Sequence, residues 1–155
     1  MKTNNPVAGS GLLNPSHTIK IAELEDLDSL FELNKLFDCE TTKEKIEELI
    51  KTNDREIICI AYHDDFAIGF CSGLIVKSIC YNTGRLDIES LFVRDGYRRK
   101  NVGMSLLKFM EQEAVKRNLL HFHILTNKKN YAAIKLYEKL GYKNTGEILL
   151  DKTIE

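Results

Sequence analysis

At 155 residues and 43% hydrophobic content, the chain is long enough for one domain with one packed core, and nothing in its composition suggests disorder, collagen or a coiled coil. No apolar run approaches the ~20 residues of a membrane span, and residues 1–11, MKTNNPVAGSG, lack the apolar core of a signal peptide, which predicts a cytoplasmic protein. The net charge of −1 hides a split: residues 1–80 hold 8 Lys and Arg against 14 Asp and Glu, residues 81–155 hold 14 against 9, so the second half suits an anionic ligand and the first a cationic one.

The Asn, Gly, Ser and Pro content of residues 1–16 predicts a flexible arm before a single domain at 17–155. Residues 18–22 alternate as a short strand. Residues 25–37 carry a helical stripe of Leu27, Leu30, Phe31, Leu33 and Phe37 behind an acidic first turn, and residues 42–51 form a second helix with Ile46, Leu49 and Ile50 on one face. Two β-rich runs, 56–62 and 66–76, flank His63-Asp64-Asp65 and predict a hairpin, and RLDIESLFV at 85–93 gives a third long strand. From 101 to 116 the period turns helical, with Val102, Leu106, Phe109, Met110 and Ala114 along one side. A short buried strand at 122–125 and a helix at 131–140 follow, closed by Gly141 where a left-handed cap is wanted. Strands near 142–144 and 147–150 complete an α/β (mixed α+β) fold with a mostly antiparallel mixed sheet of about seven strands and about four helices.

Cys39, Cys59, Cys71 and Cys80 form no CxxC pair, which points to reduced thiols and away from zinc clips or redox pairs. His121 and His123 share a strand face, but no Cys or carboxylate stands near them at ligand spacing, so no metal is expected.

The chemistry concentrates after the third long strand. A helix start exposes unpaired N–H groups with a partial positive charge, a ready place for phosphate, and Arg98, Arg99 and Lys100 stand directly before it. Gly103, in the first turn, removes a Cβ where a pyrophosphate needs close approach. Taken alone, the same loop also fits an ordinary strand–helix connection with a solvated basic surface.

The longer stretch LDIESLFVRDGYRRKNVGMSLLKFM resembles the cofactor motif of the GNAT superfamily of N-acetyltransferases, Arg/Gln-x-x-Gly-x-Gly/Ala after a strand ending in an aromatic-Val pair. The matching positions are Arg98, Asn101 and Gly103, preceded by Phe92-Val93. NYAAIKLYEKLGYKNTGE resembles that superfamily's second segment through Asn130, Ala133, Tyr137, Gly141 and Tyr142. The likeness is specific over about residues 85–147. Asn101 departs from the pattern by replacing the first glycine; Asn is the side chain that best tolerates positive φ.

The resemblance implies acetyl-CoA as co-substrate, with pyrophosphate bound by main-chain N–H groups of Arg98, Arg99, Lys100, Asn101, Val102, Gly103 and Met104. It implies that the Val93 amide, next to Phe92, polarises the thioester carbonyl, and that Asn130 contacts the pantetheine arm or orders its loop. Tyr137 matches the usual general acid for the leaving thiolate, the alternative being a core tyrosine on a helix face. Glu89 matches a position where relatives carry a base, the alternative being a structural carboxylate, and Asp87 is a cation binder or the base itself. Asp38, Glu40 and Glu44, with Asp87 and Glu89, mark the acceptor side as suited to a cationic amine. Direct transfer in a ternary complex needs no covalent acyl-enzyme. Set against this are a catalytically silent acyl-CoA sensor and a nucleic-acid binder using the basic loop; the patch is too short for the latter. A homodimer is implied by analogy alone.

Overall fold

The computed structural model describes residues 16–154 except residue 53. The predicted arm, apart from its last residue, lies outside the described residues. Five strands form one sheet in the order β1-β2-β3-β4-β5: β1 Thr18–Ile21, β2 Glu56–His63, β3 Phe66–Val76, β4 Gly84–Val93 and β5 Leu119–Ile124. The first four run antiparallel and β5 lies parallel to β4. The helices are α1 Leu27–Leu36, α2 Lys43–Thr52, α3 Val102–Lys116 and α4 Tyr131–Lys139.

Alternation along the strands divides the core into two layers. Ile57, Cys59 and Cys71, with Leu86 and Ile88, meet the stripe of α3 formed by Val102, Leu106, Leu107, Met110 and Ala114. On the other face Ile60, Phe70 and Phe92 meet Leu30 and Leu33 of α1 and Ile46 of α2. The start of α1 is fixed electrostatically. Asp26 is buried, accepts the Glu23 N–H at 2.8 Å and the Tyr62 hydroxyl at 2.7 Å, and lies 3.1 Å from Nζ of Lys20. A buried carboxylate needs such partners, and these tie β1, β2 and α1 together.

The first helix begins two residues later than its sequence pattern predicts, after a single 3-10 turn at Leu24–Asp26. The strand expected at 122–125 starts earlier, at Leu119. The two final strands do not form: among the described residues, 142–154 join no strand ladder, and Ile148, Leu149, Leu150 and Ile154 are exposed. Strand propensity becomes a strand only when a ladder partner is present, and the sheet therefore has five strands instead of about seven.

Candidate active site

β4 and β5 separate halfway along β4. Their pairing runs from Gly84↔Leu119 to Ile88↔Ile124 and stops, while β4 continues to Val93. At the same point β4 bulges. Ser72 of β3 pairs with Ser90 and Gly73 with Ile88, so Glu89 has no residue opposite it on β3.

The direction of the backbone groups beyond the bulge follows from the ladder. The Arg94 N–H donates to the Ile68 carbonyl at 2.9 Å. In an antiparallel pair, alternate residues face the partner, so Phe92 also faces β3, and the N–H and C=O of Leu91 and Val93 turn away into the gap beside β5. The Val93 carbonyl accepts Nε of Arg98 at 3.0 Å. The N–H groups of Leu91 and Val93 are thus aimed at a slot open to a ligand. Gly69 keeps β3 close at this level: a Cβ there would lie 2.5 Å from the Phe92 carbonyl oxygen.

The loop leaving β4 makes a 3-10 turn, Asp95–Tyr97, and two left-handed residues, Arg99 at φ 59° and Asn101 at φ 63°. Asn101 therefore adopts the glycine-like conformation that its position in the motif requires. Arg99 does so too, which its charge did not reveal. Arg98 is anchored by Asp95 at 3.0 Å, and Nζ of Lys100 donates to the Gly96 carbonyl at 2.9 Å over the Tyr97 ring. The Asn101 side chain does not cap α3, and no acidic residue stands in the helix's first turn. The first N–H groups of α3, at Val102, Gly103 and Met104, have no acceptor within the helix. A Cβ at Gly103 would meet Leu136, Val93 and Leu91 at ordinary contact distances of 3.4–3.9 Å, which places the start of α3 beside β4 and α4.

α4 carries the second motif segment, which begins at Asn130. Asn130 is its N-cap, its side chain accepting the Ala133 N–H at 3.3 Å. At the other end Gly141, at φ 93°, turns the chain so that the Tyr142 N–H reaches the Tyr137 carbonyl at 3.1 Å and the Gly141 N–H the Glu138 carbonyl at 3.0 Å. This closure folds Tyr142 back on Tyr137, with ring centroids 6.1 Å apart, and the Tyr142 hydroxyl donates to Glu111 at 2.7 Å. Tyr137 packs against the same core cluster as Leu91 and Val93. Burial pushes its phenol above the ordinary tyrosine range, so it stays a proton donor.

On the opposite face of the sheet the expected acceptor residues separate. Glu89 is exposed at the bulge. Asp87 is held by Arg85 through bonds of 2.8 and 3.2 Å and lies 3.6 Å from Nδ1 of His123, so its charge is already engaged. Asp38, Glu40 and Glu44 are exposed on the α1–α2 connection and the start of α2; no hydrogen bond or ion pair among the described residues joins them to Asp87 or Glu89. The connection instead contributes Phe37, whose ring meets Phe70 at 5.9 Å and Phe92 at 5.7 Å. Sequence reasoning missed Leu91, Phe37 and Glu56. The signal for Leu91 was its spacing two residues from Val93 on the same strand edge. Glu56 accepts a hydrogen bond from Ser72 and feels the charge of Glu89, and burial raises its carboxyl above the ordinary range.

Burial pushes the Cys59 thiol up to about 12 and the Cys71 thiol well above its usual value. Among the described residues, no three His, Cys, Asp or Glu side chains gather to hold a metal ion, and no helix is long and apolar enough to cross a membrane.

Residues 21–142 match the acetyltransferase (GNAT) family. The chain belongs to the GNAT family. This match takes in every element from the end of β1 to the Tyr137–Tyr142 closure. A relative, the probable N-acetyltransferase 14 of Xenopus tropicalis, is 38% identical over 61 residues, which is 39% of this chain and 30% of that protein. Among solved structures, an aminoglycoside acetyltransferase from an uncultured soil metagenomic sample, in complex with trehalose, superposes with a TM-score of 0.79 at 14% identity, over 90% of this chain and 97% of that one. AAC(6')-Iy, in complex with the bisubstrate analog CoA-S-monomethyl-acetylneamine, does so with 0.79 at 19%, over 90% and 99%. At these identities the likeness establishes the GNAT fold.

Proposed function

We propose that this GNAT protein transfers an acetyl group from acetyl-CoA to a primary amine by direct attack in a ternary complex. The observation that carries the proposal is the edge of β4, where the N–H groups of Leu91 and Val93 face a slot that leads to the open start of α3. The first N–H groups of α3 and the loop bearing Arg98, Arg99 and Lys100 suit a pyrophosphate. The gap between β4 and β5 suits an extended amide-containing arm, which completes the edge as a strand would. An N–H donor aimed at the thioester oxygen stabilises the charge that develops there, an effect on the order of a few kcal/mol.

The amine attacks the carbonyl carbon, the C–S bond breaks, and Tyr137 supplies a proton to the leaving thiolate. The proton donor must be neutral at working pH, and burial keeps it so. The acetylated aminosugar analog seen with AAC(6')-Iy is in keeping with an amine acceptor, as is the acidic first half of this chain.

Release of free thiol from acetyl-CoA with a panel of aminoglycosides, polyamines and peptide amines tests the reading. The wild-type protein should release thiol with at least one amine, and Tyr137→Phe should lower kcat by about 100-fold or more while acetyl-CoA still raises the melting temperature. Binding of acetyl-CoA without thiol release from any amine would instead mark a silent acyl-CoA sensor.

A further inference from the structure

The edge of β4 that carries the Leu91 and Val93 N–H groups is covered on one face of the sheet and bordered by aromatic rings on the other. On the α3 face, Leu91, Val93 and Leu136 of α4 all stand within 3.9 Å of the position a Cβ would take on Gly103, so the start of α3 and α4 close that side. On the other face the side chain between them, Phe92, pairs across the sheet with Phe70, their ring centroids 6.2 Å apart. The Phe37 ring lies over both and is still 39% exposed. An amine that comes to this edge from the face opposite α3 therefore meets Phe37 and Phe92 first.

The backbone holds Phe37 in this place. The Phe37 N–H reaches the Leu33 carbonyl at 3.0 Å, the Asp38 N–H the Lys35 carbonyl at 3.2 Å, and the Cys39 N–H the Asn34 carbonyl at 3.0 Å. Such a helix closure needs a left-handed residue just past the last turn, and Asp38 supplies it at φ 64°, where glycine is usual. The chain turns away directly after Phe37, which fixes the point from which the ring leaves α1. A half-open ring on a fixed turn, beside the edge that carries the N–H donors, has the make-up of a ligand wall.

We infer that Phe37 selects the acceptor, and that the preferred amine is carried on an aromatic group lying against Phe37 and Phe92 while its nitrogen reaches the edge of β4. This rests on the acetyl-transfer reading above. The three rings offer no hydrogen-bond donor or acceptor, so a sugar that brings several hydroxyls to them loses hydration with nothing in return. The carboxylates that would hold a many-charged amine do not gather there. Asp87 is taken by Arg85, and among the described residues no hydrogen bond or ion pair joins Asp38, Glu40 or Glu44 to Asp87 or Glu89. An aromatic acceptor instead extends the edge-to-face and tilted contacts that Phe37, Phe70 and Phe92 already make with one another.

The test uses phenethylamine, ethanolamine and neamine as acceptors. The first two are primary ammonium ions at neutral pH and differ in carrying a phenyl ring or a hydroxyl, and neamine stands for the aminosugars. Wild-type protein should give a kcat/KM for phenethylamine at least about tenfold above that for either of the others. Phe37→Ala should raise KM for phenethylamine about tenfold with kcat within about threefold of wild type. Phe37→Leu, which keeps an apolar side chain over Phe70 and Phe92, should fall between, and both variants should still gain melting temperature with acetyl-CoA. A higher kcat/KM for neamine or ethanolamine than for phenethylamine would overturn the inference and leave acetyl transfer standing. An equal loss on phenethylamine and ethanolamine in Phe37→Leu would do the same. Acetyl-CoA binding by the wild type with no thiol release on phenethylamine would also overturn it, leaving the cofactor slot intact. Failure of the wild type to bind acetyl-CoA would instead remove the reading beneath it.

Discussion

Arg98 reaches back 3.0 Å from its Nε to the carbonyl of Val93, binding the first residue of the motif loop to the last residue of β4. The contact occupies the one backbone acceptor of Val93 that faces the slot and leaves its N–H for a ligand. It also fixes where the loop's left-handed residues and the start of α3 lie relative to that N–H.

Arg98→Ala should therefore weaken acetyl-CoA binding by about tenfold through loss of both charge and loop geometry. Stability should change little, because the side chain is half exposed and its ion pair with Asp95 is a surface one. Isothermal titration with acetyl-CoA checks this. Unchanged affinity would show that the loop is positioned without Arg98.

Asn101 lies at φ 63°, where a β-branched side chain is strongly disfavoured. Asn101→Val should cost about 1–3 kcal/mol and reduce acetyl-CoA affinity, whereas Asn101→Gly should match or slightly exceed wild-type stability. Urea unfolding of the two variants gives the comparison. A Val variant as stable as wild type would mean that the loop relaxes out of the left-handed region.

Tyr142→Phe removes the hydroxyl that donates to Glu111 and leaves that carboxylate without its partner. A loss of about 1–2 kcal/mol is expected, with a looser Tyr137 behind it. Tyr142 is raised above the usual tyrosine range, first by burial and then by Glu111. A raised folded-state pKa contributes stability that is fully present below the unfolded value and lost as pH rises through the folded one. The gap between wild type and variant should thus be constant from neutral pH to about pH 9 and close only at strongly alkaline pH.

Burial of Tyr137 carries a kinetic counterpart. Burial raises its phenol above the ordinary tyrosine range, so a step that uses it as an acid should keep kcat level through about pH 9 and lose it only above that range at saturating substrates. A fall centred near pH 9 that is absent in Tyr137→Phe would contradict the assignment.

Much of this was legible in the sequence, and unevenly. The period of α3, the hairpin of β2 and β3, and the Gly141 closure follow from local spacing and appear as expected. Asn101 kept its left-handed geometry because conformational preference is a property of the residue itself. Pairing is not local. The bulge that isolates Glu89, the separation of β4 from β5, and the approach of Glu56 to Ser72 depend on which strand lies opposite which. The same reason explains the tail: residues 147–150 read as a strand, and none of the described residues forms a ladder with them. Asp87, expected on the acceptor side, is held by Arg85, two residues earlier on the same face, a contact that its own position in the strand does not reveal.

The central claim is that acetyl-CoA lies along the edge of β4 and over the start of α3. Backbone amide chemical shifts of 15N-labelled protein, followed on titration with acetyl-CoA, test it most directly. The largest changes should fall on the N–H signals of Leu91 and Val93 and of residues 98–104, with Tyr137 and Asn130 next. No change at millimolar acetyl-CoA, or changes confined to α1 and α2 on the opposite face, would contradict it.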